Sequence, residues 1–125
     1  MTEVASSIQG KRAYLSGRIT GRDRDEVVKE FGQAEAQLKA AGAYCVFNPV
    51  TEIEPSCSHE LAMRFCVRQL ARSKTLKDGD AEPFYDYLVT LPLWFDSKGA
   101  CLEVEVAQAC GIQVIPLHQA IKGSG

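Results

Sequence analysis

Tyr87-Leu88-Val89-Thr90-Leu91-Pro92 and, after a short spacer, Ser97-Lys98-Gly99-Ala100-Cys101-Leu102-Glu103 form the stretch that decides the fold. The first part is an apolar run closed by proline, the pattern of a buried strand. The second opens with a serine suited to cap a helix, and the residues from Ala100 to Cys110 predict that helix. At about 100° per residue, Glu103, Val106, Ala107 and Cys110 share the side expected to face the core, and Glu103 is its only charged member. Glu105 falls with Gln108 on the opposite, solvated side. A charge on an apolar stripe is costly unless something offsets it. Two readings offer an offset. Glu103 either caps or ion-pairs locally, or it stands in the first helical turn, near the positive end of the dipole, facing a pocket at the lip of a sheet.

Upstream, Arg12-Ala13-Tyr14-Leu15-Ser16-Gly17 reads as a strand running into a turn bracketed by Gly17 and Gly21. Asp23 or Asp25 caps a helix whose apolar residues Val27, Phe31, Ala34, Leu38 and Ala41 recur at intervals of four and three, with Gly42 as terminator. Ala43 to Phe47 is a second strand ended by Asn48-Pro49, and Val50 to Ser58 reads as loop. A helix from His59 to Ser73 follows, with Ala62, Met63, Cys66, Val67 and Leu70 on its apolar side. Arg64, Arg68 and Arg72 form a stripe opposite, which reads as a solvated face, a subunit contact or a phosphate-facing patch. Lys74 to Pro83 reads as a mobile charged loop, and Ile112 to Leu117 as a last strand.

Strands and helices alternate, and the strands are almost continuously apolar. That order predicts an α/β three-layer sandwich, a four- to five-stranded parallel sheet of the flavodoxin or Rossmann-like kind with helices on both faces. Residues 1–125 make one domain, with 1–10 and 119–125 expected to be flexible. Right-handed crossovers place the strand-to-helix loops on one edge, so Tyr14–Arg22, Asn48–Ser58 and Pro92–Gly99 are expected to converge on a cleft.

The composition narrows the partners. A net charge of −2 gives no electrostatic reason to expect long nucleic acid. No apolar run approaches membrane-spanning length, and the polar N-terminus lacks the apolar core of a signal peptide. The expected location is cytoplasmic. The five cysteines contain no Cys-x-x-Cys pair, and Cys45, Cys66 and Cys110 fall on predicted apolar faces. They read as reduced, mostly buried thiols. His59 and His118 lie far apart and near no cysteine pair, so neither a metal site nor a cofactor is expected, and no Cys–His catalytic pair.

Three features are expected to meet at the cleft. The loop Ser16-Gly17-Arg18-Ile19-Thr20-Gly21 is either a plain tight turn or an anion cradle built from backbone amides and Arg18. It is neither a P-loop nor a dinucleotide fingerprint. Asp86 opens the third strand, where a carboxylate is either solvated or functional. Ser97 and Gly99 either cap the last long helix or let a ligand approach its backbone.

Taken as an ordered series, these pieces resemble a known pattern: Tyr14-Leu15-Ser16-Gly17-x-Ile19-Thr20-Gly21, then Phe31, Ala34, Leu38 and Gly42, then Asn48-Pro49, then Asp86 ahead of Leu91-Pro92-x-Trp94, then Ser97-x-Gly99-Ala100-x-x-Glu103. The series is similar to the nucleoside 2-deoxyribosyltransferase-like superfamily, closest to a small uncharacterised branch common in bacteria and their phages. The resemblance implies cleavage or exchange of the N-glycosidic bond of a 2′-deoxynucleoside or, in preference, its 5′-monophosphate. It implies Glu103 as nucleophile on C1′, Tyr14 as the group orienting it and Asp86 near sugar and base. Ser16, Gly17, Arg18, Ile19, Trp94, Ser97 and Gly99 are the accompanying substrate-binding candidates. It also implies a homo-oligomer. Serine at position 97, where the transferases on free nucleosides carry an acid, favours a phosphorylated ligand, although Asp96 stands beside it. Arg18 in place of a frequent proline, the length of Lys74–Pro83 and His59 in place of an aromatic depart from the pattern. The other reading of the same cleft is a binding module that captures a nucleotide and leaves it intact.

Overall fold

Strand β1 (Arg12–Ser16) sends Ala13 and Leu15 to one side and Tyr14 to the other, as a pleated strand must. In the computed structural model, which describes residues 8–75 and 81–122, β1 lies parallel to β2 (Cys45–Phe47) on one flank and to β5 (Tyr87–Thr90) on the other. β5 pairs in parallel with β6 (Gln113–Pro116), giving the order β2-β1-β5-β6. The sheet separates two apolar clusters. Ala13, Leu15, Val89 and Ile115 meet Val27, Phe31, Ala34 and Leu38 of helix α1 (Arg24–Ala40). Tyr14, Phe47 and Leu88 meet Cys66 and Leu70 of α3 (His59–Leu70) and Val104 and Ala107 of α4 (Lys98–Ala109). The three-layer α/β architecture with a parallel sheet is therefore present.

Local chemistry sets the helix boundaries. Asp23 accepts from Glu26 N and Ser58 from Leu61 N, each capping the helix that follows. Gly42, with φ of 100°, takes the left-handed conformation that ends α1. The stretch expected to be loop after β2 holds one helical turn, α2 (Pro49–Glu52), because Asn48 Oδ1 accepts from Val50 N at 3.0 Å. The expected charged loop is anchored at both ends: β3 (Ser73–Thr75) pairs antiparallel with β4 (Ala81–Pro83). Its middle, residues 76–80, lies outside the described residues, so the expectation of mobility there goes untested.

Arg72 is not a free member of a solvated stripe. Its guanidinium lies 3.8 Å from the Phe84 ring centroid, with Arg12 on the same ring at 4.3 Å. The tail segments expected to be loose contribute to the core: Ile8 is buried, and so is Ala120 of α5 (Leu117–Ala120). On α4 the buried side is Ala100, Glu103, Val104 and Ala107. Cys110, expected there, is exposed as the cap of the helix, and Cys45 is only half-buried. Among the described residues no helix is long and apolar enough to cross a membrane.

Candidate functional site

The chain leaves β1 toward one flank of the sheet and later returns to form β5 on its other side, so the order reverses between β1 and β5. In parallel α/β sheets the crevice beyond the carboxyl ends at such a point is where ligands bind. A cavity of about 270 Å3 lies there, bordered by Gly17, Ile19, Arg24, His59, Ser97 and Glu103 among others. Three chain segments build its walls: the turn after β1, the stretch from α2 into α3, and the start of α4.

Glu103 forms the inner wall and is 6% exposed. Its Oε2 accepts from the Tyr14 hydroxyl in a short bond, and its Oε1 accepts from Ser16 Oγ at 2.9 Å. Tyr14 and Ser16 are two apart on β1, so they emerge on the same face of the sheet and reach α4 together. Among the described residues Glu103 forms no ion pair. It does not cap the helix either, because Ser97 Oγ accepts from Ala100 N at 3.2 Å and fills that role. The carboxylate is thus held by neutral donors and faces a hollow.

Its electrostatics differ from the sequence expectation. Helix α4 begins at Lys98, which puts Glu103 in the second turn, with no acidic residue in the first. The helix dipole acts chiefly within the first turn and is not what holds the charge. Burial pushes the Glu103 carboxyl above its ordinary range, and the bonds from Tyr14, Ser16 and the Cys66 thiol pull it back in part. Burial and the neighbouring Glu103 charge both drive the Tyr14 phenol far upward, so it stays protonated and donates. Cys66 adjoins the pair, and its thiol is pushed up to about 12, first by burial and then by Glu103. That makes Cys66 an inert thiol at neutral pH.

The remaining candidates divide. Gly17, Ile19, Ser97 and Gly99 border the cavity. Gly17 is also a packing requirement, since a Cβ there would stand 3.0 Å from Leu91 Cβ and 3.1 Å from Phe31 Cζ. Gly99 lets α4 approach α3, with Met63 Sδ 3.2 Å from where a Cβ would be. Arg18 does not border the cavity; its carbonyl accepts from Arg22 Nη1 instead. Trp94 sits in a 3-10 turn (Trp94–Asp96), packed against the second core and away from the cavity.

Asp86 is the clearest correction. It precedes β5, and in a parallel sheet strand starts and strand ends lie on opposite edges. About four residues of strand at roughly 3.3 Å each separate it from the cleft. There its Oδ2 accepts from Arg12 N at 2.9 Å, and Oδ1 faces Lys74 Nζ at 3.7 Å. Asp86 ties the starts of β1 and β5 together and does not join Glu103.

The sequence reading passed over Arg24, His59 and Cys66. Arg24 opens α1 and reaches across to donate to Val50 O at 3.1 Å. His59, Cys57 and Cys66 border the same cavity, although local spacing gave the histidine no companion. The crossover topology was the available signal, because it aims the start of α3 at the same edge. Among the described residues no cluster of three or more His, Cys, Asp or Glu side chains could hold a metal ion.

The sequence pattern shared by a family described as a domain of unknown function, DUF4406, matches residues 11–116. The chain belongs to this family. The match takes in every strand of the main sheet and all three segments that wall the cavity, so the site is part of the DUF4406 domain and not an appendage to it. No curated protein and no solved structure matches the chain.

Proposed function

We propose that the cavity takes a 2′-deoxynucleoside or, in preference, its 5′-monophosphate, and that Glu103 attacks C1′ to break the N-glycosidic bond. The observation that carries this reading is a buried carboxylate with no cationic partner among the described residues, gripped by the Tyr14 and Ser16 hydroxyls on the wall of an open cavity. The ordered motifs that resemble the nucleoside 2-deoxyribosyltransferase-like superfamily support it as well. A hollow of about 270 Å3 suits one mononucleotide, near the small end of ligand sites at roughly 300 Å3.

Cleavage of an N-glycosidic bond develops positive charge on C1′ and O4′, which a fixed carboxylate stabilises and can capture. A bond forms from Glu103 to C1′ as the C1′–N bond breaks, and the electron pair leaves on the base nitrogen, which takes a proton. Asp86 stands on the wrong edge to supply it, so that role falls to His59, which borders the cavity, or to water. Water then attacks C1′ and frees Glu103, giving the hydrolase outcome; a second base in its place gives the transferase outcome. Tyr14 positions the nucleophile and does not touch the ligand. Ser97, the free amides at the start of α4 and Arg24 form a seat suited to a 5′-phosphate.

Leu93, Phe95 and Leu102 are exposed apolar side chains on the rim formed by the 3-10 turn and α4. They support assembly into a homo-oligomer, which Phe95→Glu is expected to reduce to monomer in sedimentation. The functional test incubates the protein with each deoxynucleoside and its 5′-monophosphate and follows free base by chromatography. Base release that disappears in Glu103→Ala is expected. No base release, with nucleotides stabilising wild type and Glu103→Ala alike, would instead establish capture without cleavage. Ser97→Asp is expected to erase the preference for the monophosphate.

A further inference from the structure

Tyr14 can hold Glu103 only if its ring keeps one position, because the hydroxyl oxygen lies on the χ2 axis and is carried away from Oε2 by rotation about χ1 or a sideways shift of the ring. Two aromatic rings fix it. Phe47 on β2 stacks on Tyr14 with centroids 4.9 Å apart and planes 13° from parallel. Tyr85, just before β5, meets the same ring edge-on at 5.7 Å and 78°. Offset stacks and edge contacts are both favourable arrangements, and together they restrain the Tyr14 ring in two directions.

The clamp is itself anchored. Tyr85 donates from its hydroxyl to Gln69 Oε1 at 3.3 Å and packs edge-on against Phe84 at 5.0 Å. Phe84 is in turn held by the guanidinium groups of Arg12 and Arg72. Phe47 leans on Phe65 of α3, with centroids 6.1 Å apart. None of these residues borders the main cavity. They reach the site through Tyr14.

We propose that Phe47 and Tyr85 are positioning residues, a ring clamp that keeps the Tyr14 hydroxyl on Glu103 and so sets the state of that carboxylate. The kinetic consequences rest on the nucleophile reading above; the physical claim does not, because the titration of Glu103 can be followed without turnover. Loosening the clamp weakens a hydrogen bond that favours the ionised carboxylate, so the Glu103 titration moves to higher pH. The flat rings are what restrain Tyr14, and without its hydroxyl bond to Gln69 the Tyr85 ring keeps its edge contact with Phe84. Phe47 and Tyr85 border a second hollow of about 380 Å3.

The test uses the full chain labelled with 13C at glutamate carboxyls, with the Glu103 signal identified by its loss in Glu103→Gln. Phe47→Leu and Tyr85→Leu are each expected to raise the Glu103 titration, by less than Tyr14→Phe does. The ring-keeping variants Phe47→Tyr and Tyr85→Phe are expected to leave it at the wild-type position. Phe47→Met replaces Phe47→Leu should the latter not fold, and Ile112→Val in the same core serves as a packing control that leaves the titration unmoved. In base release the ring-losing variants are expected to lose about tenfold in kcat with KM unchanged. A Glu103 titration that moves in Tyr14→Phe but stays fixed in both ring-losing variants would overturn the clamp. So would a titration unmoved even by Tyr14→Phe. Absence of base release from wild type would sink the nucleophile reading and leave the clamp standing on the titration alone.

Discussion

The two edges of the parallel sheet each carry a carboxylate near β1 and β5, and they are used in opposite ways. At the strand starts, Asp86 is half-buried, accepts from a backbone N–H and faces a lysine. At the strand ends, Glu103 is buried, has among the described residues only the neutral donors Tyr14, Ser16 and Cys66, and lines a hollow. A carboxylate that has a cation and a backbone amide is stabilised where it stands. One that is buried without a cation carries an electrostatic cost, which folding alone does not explain. The contrast separates a carboxylate tied into the fold at the strand starts from one that faces a cavity at the strand ends.

The largest effect expected from breaking this contrast is on rate. Glu103→Gln should lower base release by about a thousandfold or more, whereas Asp86→Asn should leave it within about twofold and cost about 1 kcal/mol of stability through the weakened bond to Arg12 N. Chromatographic rates and chemical denaturation of both variants check the pair. Next comes Tyr14→Phe, expected to lower kcat about a hundredfold, with Ser16→Ala nearer tenfold. Both remove a donor that favours ionised Glu103, so the acid limb of the pH–rate profile should move to higher pH in each.

Stability against pH sharpens the comparison further. The folded-state pKa of Glu103 lies above its unfolded value, so folding favours the protonated form. Its contribution is fully present below the unfolded pKa and is lost as pH rises through the raised folded pKa. Glu103→Gln, which never ionises, should therefore gain in melting temperature relative to wild type as pH rises across that window. The smallest effect concerns the cavity lining alone. Gly17→Ala places a methyl 3.0 Å from Leu91 Cβ and should cost about 1–3 kcal/mol, whereas Gly99→Ala meets the flexible Met63 and should cost less than about 1 kcal/mol. Thermal unfolding measures both.

The fold was legible because period and punctuation agreed. The α1 apolar residues at intervals of four and three are the ones buried, and the apolar strands form a parallel sheet. Glu103 was legible as a charge on a buried stripe, and Tyr14 and Ser16 as the strand facing it. Asp86 and Glu103 were wrongly joined because linear spacing does not record which end of a strand a residue occupies. Glu103 was placed a turn too early because Ser97 caps the helix further upstream than the apolar pattern begins. Arg24 and His59 were missed because each reaches the cavity from a different segment, a convergence that only the folded chain creates. The short strands β3 and β4 carry no strand signal of their own, and their pairing joins segments that flank the charged loop.

The central claim is that Glu103 forms a bond to the sugar. The most direct measurement incubates the protein with a deoxynucleoside 5′-monophosphate, quenches it in acid and maps modified peptides by mass spectrometry. The expected result is a deoxyribosyl phosphate ester on the peptide holding Glu103, absent from Glu103→Gln. Base release with an adduct on any other residue, or with none at all in a quench fast enough to sample the first turnover, would contradict it.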